Sequence, residues 1–416
     1  MKRTIFRATA AAMAVLAPAT ATPLIAPAAQ AQDASIGAEL TAGTNNDDFR
    51  TLYENASSSM NWLEIIKRYQ SRGYDNVKVV TAYSKAMDRL IPLVLIQPEN
   101  KAKRSSAPTL YLLNGADGGE GRANWIAQTD IIDYYGGNLS KNTTGVKSPG
   151  IGANIVIPMA GAFSYYSDWT GDNAGLQGVN RKGETGGRQK WETFMTKELP
   201  GAFEKFEVDG TKVANSTKAI AGMSMSGTTS LAYAEHNPGM YAAVGSFSGC
   251  ASTTSPHGAA FVNITLNRGN SSMEEMWGGP QSATARHNDA LLGAEQLRGT
   301  KNIYVSNGSG LAGEHDMLNS PRVKGNVAAS ATVIVEGGAI EMATNGCTNE
   351  LKMKTDTLGI GVNYNFRFTG THQWGYWQDD TRYFWKDLVN GLGTGAQKPT
   401  ASADPNFKEQ GASLGS

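Results

Sequence analysis

The sequence predicts an α/β fold built on a mostly parallel, doubly wound sheet, and three observations carry that prediction. Short apolar runs that end in glycine or small residues recur at Thr109–Leu113, Asn154–Met159, Tyr241–Phe247 and Asn302–Ser306. Their length and content are those of strands buried on both faces. Helical patterns separate these runs, the alternation expected of a sheet covered by helices. The stretch Ala219–Thr228 (AIAGMSMSGT) reads as a buried strand, a turn too tight for ordinary side chains and the first turn of a helix.

The elements follow in order. Trp62–Ile66 has the spacing of an amphipathic helix. Val77–Tyr83 and Leu90–Ile96 read as strands joined by a turn near Ala86–Asp88, a hairpin ahead of the parallel strands. Glu192–Phe206 reads as a helix and leads to the strand before Ser224. Thr228–Glu235 continues as a helix that Asn237-Pro238-Gly239 stops. Between the strands near 247 and 302 lies an insertion rich in Gly, Ser and Met, predicted to form helices over the carboxyl edge of the sheet, where open α/β sheets bind ligands. Val362–Phe368 alternates as a less buried edge strand should.

Both ends of the chain differ from its middle. Lys2, Arg3 and Arg7 precede the apolar Ala10–Ala17, and Ala29-Gln30-Ala31 is a small-x-small cleavage site. Residues 1–31 thus read as a secretory signal, 32–75 as an N-terminal extension, 76–391 as one catalytic-sized domain and 392–416 as a disordered tail poor in apolar residues. No segment after the leader reads as long and apolar enough to span a membrane. The chain has 37 basic and 37 acidic residues, and without the leader's three basic residues the balance is −3. Nothing in that balance suggests nucleic acid or an anionic membrane surface as the main partner. Cys250 and Cys347, the only cysteines, favour one disulfide in an exported chain. The five histidines show no paired ligand spacing, and His315 beside Asp316 is too little for a metal site. No metal or cofactor is implied.

The chemistry points to an activated serine. Gly222-Met223-Ser224-Met225-Ser226 matches the Gly-x-Ser-x-Gly elbow except that Ser226 stands at the second glycine. A serine hydroxyl needs a base to take its proton and an acid to orient that base. His372, in Gly370-Thr371-His372-Gln373-Trp374, follows the last predicted strand and fits the order nucleophile, acid, base. Spacing leaves Glu314, Asp316 and Glu341 as acids and slightly favours Asp316. The amide of Met225, with one from the glycine-rich loop Asn114–Gly119, would form the oxyanion hole.

These blocks together resemble the mycolyltransferases of mycolic-acid bacteria, the antigen 85 type and its corynebacterial trehalose corynomycolyltransferase branch, within the α/β-hydrolase superfamily. The resemblance spans about 77–385. It rests on Leu110–Gly115, Tyr165–Trp169, Lys190–Phe194, Glu198-Leu199-Pro200, Gly222–Met225, Met276-Trp277-Gly278 and Gly370–Trp374. It implies Ser224 as nucleophile, His372 as base and Glu341 as acid, replacing Asp316. It further implies oxyanion amides at Met225 and Ala116, and substrate contacts at Asn114, Asp117 and Trp374. The family carries aspartate at the position of Asn114 and arginine at that of Asp117. The implied reaction moves a mycolyl group from trehalose monomycolate to a sugar hydroxyl, on a second trehalose ester or the wall polysaccharide, or to a protein hydroxyl. Met273–Trp277 is expected to wall the acyl groove, and a Cys250–Cys347 disulfide would tie the acid's helix to the sheet. The rival readings are an exported carboxylesterase and a non-catalytic adhesion protein on the same scaffold.

Overall fold

The computed structural model describes residues 38–42, 61–141, 147–173 and 187–399. The expected signal 1–31 and most of the tail lie outside the described residues. Nine strands make the main sheet: β1 (Glu39–Ala42), β2 (Val77–Ser84), β3 (Arg89–Ile96), β4 (Ala107–Leu112), β5 (Asn154–Pro158), β6 (Ala214–Met223), β7 (Ala243–Phe247), β8 (Ile303–Asn307) and β9 (Asn363–Phe366). Their order is β1-β2-β3-β5-β4-β6-β7-β8-β9. The first three pair antiparallel, β3 pairs antiparallel with β5, and every pairing from β5 to β9 is parallel. The architecture is that of an α/β-hydrolase.

Alternation along the strands explains the layers. Ile220 and Val244 face one side, where they meet Tyr111 and Ile303; Ala221 and Ala243 face the other with Leu112 and Tyr304. Both faces are covered, so β3 (RLIPLVLI) is buried along its whole length. Burying each such aliphatic side chain contributes about 1.5–3 kcal/mol, which is why the central strands read as continuous apolar runs rather than alternating ones.

Several expectations shift at their edges. The presumed N-terminal extension adds β1 to the sheet, Glu39 opposite Tyr83, and α1 (Asn61–Ser71) packs Trp62, Leu63 and Ile66 into the core. The helix after Ser224, α2 (Met225–His236), starts directly at the elbow rather than at Thr228. In the insertion, α3 (Pro256–Asn267) is N-capped by Ser255, and α4 (Met273–Trp277) carries a Ser272–Glu275 capping box. The Glu192–Phe206 helix is broken by a π turn at Phe194–Glu198. The helix carrying Glu341 is α5 (Gly338–Leu358), 21 residues ending at a left-handed Gly359. Then come α6 (Trp374–Tyr383) and α7 (Trp385–Leu392), so that Leu392, assigned to the tail, closes a helix.

The helical run Val327–Leu358, which includes α5, is long and apolar enough by length and hydropathy alone to cross a membrane, contrary to the sequence expectation. Here its face of Glu341, Thr344, Cys347, Thr348 and Leu351 is buried. Cys347 is bonded to Cys250, three residues beyond β7. That bond closes a loop with a sequence separation of 97. Replacing both cysteines by serine is expected to cost about 3–5 kcal/mol in denaturant unfolding, because the unfolded chain regains the closed loop's freedom.

Candidate active site

The parallel register brings the strand ends into one row. Met223 lies opposite Phe247, Phe247 opposite Ser306, and Asn307 opposite Phe366. Ser224, Ser248, Gly308 and Arg367, each one residue beyond its strand, therefore gather at the carboxyl edge.

Ser224 sits at φ 56°, ψ −125°, outside the regions an ordinary residue favours. Its amide donates to the Phe247 carbonyl at 2.8 Å, holding the strained residue on the next strand. The approach of strand and helix excludes side chains on either side. A Cβ added to Gly222 would lie 2.4 Å from Ser226 Oγ, and one on Gly227 would lie 3.0 Å from the Phe247 carbonyl oxygen. The close contact C-terminal to Ser224 therefore falls on Gly227. Ser226 has room for its hydroxyl, which accepts from the Met223 amide at 3.0 Å and lies 3.1 Å from the Met223 carbonyl. The departure from the elbow pattern is a bracing hydrogen bond.

The Ser224 hydroxyl donates to His372 Nε2 at 2.7 Å, and His372 Nδ1–H donates to Glu341 Oε2 at 2.8 Å. A carboxylate at Nδ1 keeps the proton there, leaving Nε2 to accept. Trp377 stands edge-on to the His372 ring, centroids 5.0 Å apart. Glu341 is fully buried. Its other oxygen accepts from the Gly308 amide at 2.6 Å and the Ser248 hydroxyl at 2.8 Å, and Arg367 Nη2 stands 3.7 Å away. Arg367 is held in turn by Asp380 at 2.6 Å. Burial pushes Asp380 up to about 6 despite that guanidinium.

Asp316, the acid that spacing favoured, does not meet His372. Its carboxylate accepts from Thr371 Oγ1 (2.6 Å), Gln373 Nε2 (2.9 Å), Tyr376 OH (2.7 Å) and the Gly313 amide (2.7 Å). It braces the residues on either side of His372 from behind. Glu314 lies in the same turn, away from His372 Nδ1.

A cavity of about 640 Å³ opens over Ser224. Phe163, Tyr165, Phe261, Ile264, Trp374 and Trp377 give it an apolar wall, with Asp117, Arg122 and Arg268 among its polar lining. Met225 and Ala116 both line it, and no acceptor among the described residues takes up either amide. Gly115 brings the Ala116 loop close, since a Cβ there would lie 3.7 Å from Ser224 Cβ. The implied substrate contacts divide. Trp374 lines the cavity, edge-on to Trp125 and Trp377 at 5.3 Å. Asp117 also lines it, accepting from the Gly121 (3.0 Å) and Ala123 (3.2 Å) amides while burial raises its pKa. Asn114 is fully buried and absent from the wall; it donates to the Pro158 carbonyl at 2.8 Å and accepts from the Trp125 amide at 3.1 Å, tying loops together.

The groove expected along Met273–Trp277 is likewise corrected. Met273, Met276 and Trp277 are buried, with Trp277 Nε1 donating to Ser167 Oγ at 2.9 Å. The wall comes instead from α3, where Phe261, Ile264 and Thr265 form one helical stripe that Arg268, the capping residue, continues. That stripe was readable in the sequence; Ser248, Gly308 and Arg367 carried no signal, because only strand register brings them to Glu341. Among the described residues, no carboxylate–imidazole grouping able to hold a metal includes Ser224, His372 or Glu341.

The Esterase family matches residues 84–381. The diacylglycerol acyltransferase/mycolyltransferase Ag85A of Mycobacterium gordonae is 26% identical over 305 residues, 72% of this chain and 78% of that protein. Ag85B of Mycobacterium leprae (strain TN), with the same description, is 26% identical over 320 residues, 76% and 84%. The crystal structure of Mycobacterium tuberculosis MPT51 (FbpC1) superposes with a TM-score of 0.55 at 20% identity, covering 77% of this chain and 98% of that one, and so shares the fold.

A Cβ on Gly308 would lie 2.6 Å from the Gly370 carbonyl oxygen and 3.2 Å from Glu341 Cγ, so Gly308→Ala is expected to cost about 1–3 kcal/mol in thermal or urea unfolding. Glu120 accepts from the Gly161 (2.9 Å) and Ala162 (3.1 Å) amides, and burial pushes it up to about 7 from 4.5. The folded state then holds this proton more tightly than the unfolded state, so stability is lost as pH rises between those values. Glu120→Gln keeps an acceptor and removes the titration. Its melting-temperature advantage over the parent should grow across that window and level off above it.

Proposed function

Because this chain belongs to the Esterase family of α/β-hydrolases, we propose that it is an exported acyltransferase of the mycolyltransferase type, with Ser224 as nucleophile. The observation that carries the reading is the continuous hydrogen-bond chain Ser224–His372–Glu341 at the floor of an apolar cavity. The likeness to Ag85 mycolyltransferases over about three-quarters of the chain supports the choice of acyl group.

In this mechanism Ser224 Oγ attacks the ester carbonyl of a trehalose monomycolate as His372 Nε2 takes the hydroxyl proton. The charge that develops on the carbonyl oxygen is met by the amides of Met225 and Ala116. Glu341 keeps the imidazole oriented and stabilises its cationic form. His372 then returns the proton to the departing trehalose oxygen, leaving an acyl ester on Ser224. A sugar hydroxyl, on trehalose monomycolate or wall arabinogalactan, or a protein hydroxyl, loses its proton to His372 and takes the acyl group, restoring Ser224. Transfer outruns hydrolysis when the acceptor hydroxyl is held in line and water is scarce, and the aromatic wall supports that. Trp374 and Asp117 are the proposed acceptor contacts. Asn114 supports the loop that carries Asp117.

Incubating the protein with an acyl-trehalose donor and separate sugar, polysaccharide and protein acceptors tests the reading. Acylated acceptor should exceed free acid. Ser224→Ala should abolish fluorophosphonate labelling and lower turnover by about 10,000-fold or more. Free acid as the sole product would replace the reading with an exported carboxylesterase. Absence of labelling in the parent protein would leave a non-catalytic surface protein.

A further inference from the structure

A second group of ionisable side chains lies behind the histidine loop. The short turn Glu314–Asp316 carries His315, which is buried against the edge of Tyr376, ring centroids 4.8 Å apart. His315 Nε2 stands 2.7 Å from Asp379 Oδ2 on α6 and 3.9 Å from Glu314 Oε1. One donor atom from each of the three lies within 4.8 Å of the others. Asp379 is only 5% exposed, and its second oxygen, Oδ1, is buried without a hydrogen-bond partner. A carboxylate taken out of water is costly unless both oxygens are served, and one imidazole N–H serves only Oδ2.

We propose that Glu314, His315 and Asp379 form a binding site for a divalent transition cation of the Zn²⁺ class. His315 Nε2, one or both oxygens of Asp379 and one oxygen of Glu314 supply three or four donors. Two carboxylates balance the double charge, and a mixed imidazole–carboxylate set suits Zn²⁺ better than the all-oxygen shells of Ca²⁺ or Mg²⁺. Zinc–donor distances of about 2.0–2.2 Å put neighbouring donors roughly 3–3.5 Å apart. The 2.7 Å contact would open and the 3.9 Å contact close, each by less than about 1 Å. The Glu314 side chain, 31% exposed, offers the solvent-facing entry. A cation takes the Nε2 lone pair, so the ring's proton stands on Nδ1 in the bound form.

A second group, Glu192, His236 and His287, also brings three potential ligands together. There His236 Nδ1 faces Glu192 Oε1 and its Nε2 faces the His287 carbonyl, each at 2.7 Å. Both partners are acceptors, so the ring carries two protons and has no lone pair to give. Its cationic form is favoured by the Glu192 hydrogen bond against the cost of burial. That group is an ion pair, and it serves as the control.

The proposed site has a structural reach. Asp316, next in the chain to His315, holds Thr371, Gln373 and Tyr376 around His372. A cation would stiffen the turn from which those bonds are made.

The test uses the whole secreted chain, stripped with EDTA and titrated with ZnCl₂ against a chromophoric chelator, with metal content by mass spectrometry and thermal midpoint as readouts. None of these depends on acyl transfer. One equivalent should bind with a micromolar or tighter dissociation constant and raise the midpoint by several degrees. Glu314→Gln, at a partly exposed position, should weaken binding at least tenfold while the stripped protein keeps the parent's midpoint. Asp379→Asn should weaken it further, and His287→Ala should leave it unchanged. Failure to bind zinc, binding that Glu314→Gln leaves intact, or binding lost in His287→Ala would each overturn the proposal.

Discussion

A carboxylate wholly removed from water is the constraint around which this edge of the molecule is arranged. Burying Glu341 is costly unless its oxygens are served by donors that the fold delivers in place. The donors come from four separate segments: Ser248 after β7, Gly308 after β8, Arg367 after β9, and His372 from the loop beyond. Satisfying one side chain therefore locks three strand ends, the histidine loop and α5 into a single arrangement. The same logic extends outward, since Trp377 donates to Ser248 at 3.0 Å and Asp380 holds both Arg367 and the Tyr304 hydroxyl.

At the opposite end of the hydrogen-bond chain the backbone itself is strained. Ser224 persists at positive φ because its amide is bonded to Phe247 and its flanking residues are packed too closely to relax. Ser226 adds a hydroxyl brace where a glycine would add none. Between the two rigid ends sits His372, the one member carried on a loop, and Asp316 compensates by gripping its neighbours. The cavity above is lined by Trp374 and Trp377, which pack edge to face on each other, and Trp374 packs likewise on the buried Trp125, so the cavity's shape belongs to the core.

The sequence signals differed in how local their physics is. The elbow, the hairpin at 77–96, the central strands and the edge position of β9 were legible because each is set by periodicity or sterics over ten residues or fewer. His372 was legible from its order after the last strand. The role of Asp316 was misread because spacing cannot distinguish an acid that faces a ring from one that braces the loop behind it. Met273–Trp277 misled similarly: apolar residues in an insertion can wall a cavity or fill a core, and here Met276 and Trp277 fill the core. Asn114 stands on the right loop with its side chain turned inward.

The amino-acid sequence alone determined a parallel α/β scaffold, a strained serine at the end of a central strand and a histidine able to return to it. Those features depend on short-range backbone geometry and on the alternation of apolar residues. Tertiary structure decided which carboxylate the histidine meets, which helix lines the cavity and which donors serve Glu341. It also decided that Asp379 stands beside His315, 64 residues away in the chain. The physical reason is common to all four. Each depends on the register of parallel strands and the packing of helices across them, and both are fixed by contacts between residues whose separation along the chain carries no trace of their nearness in space.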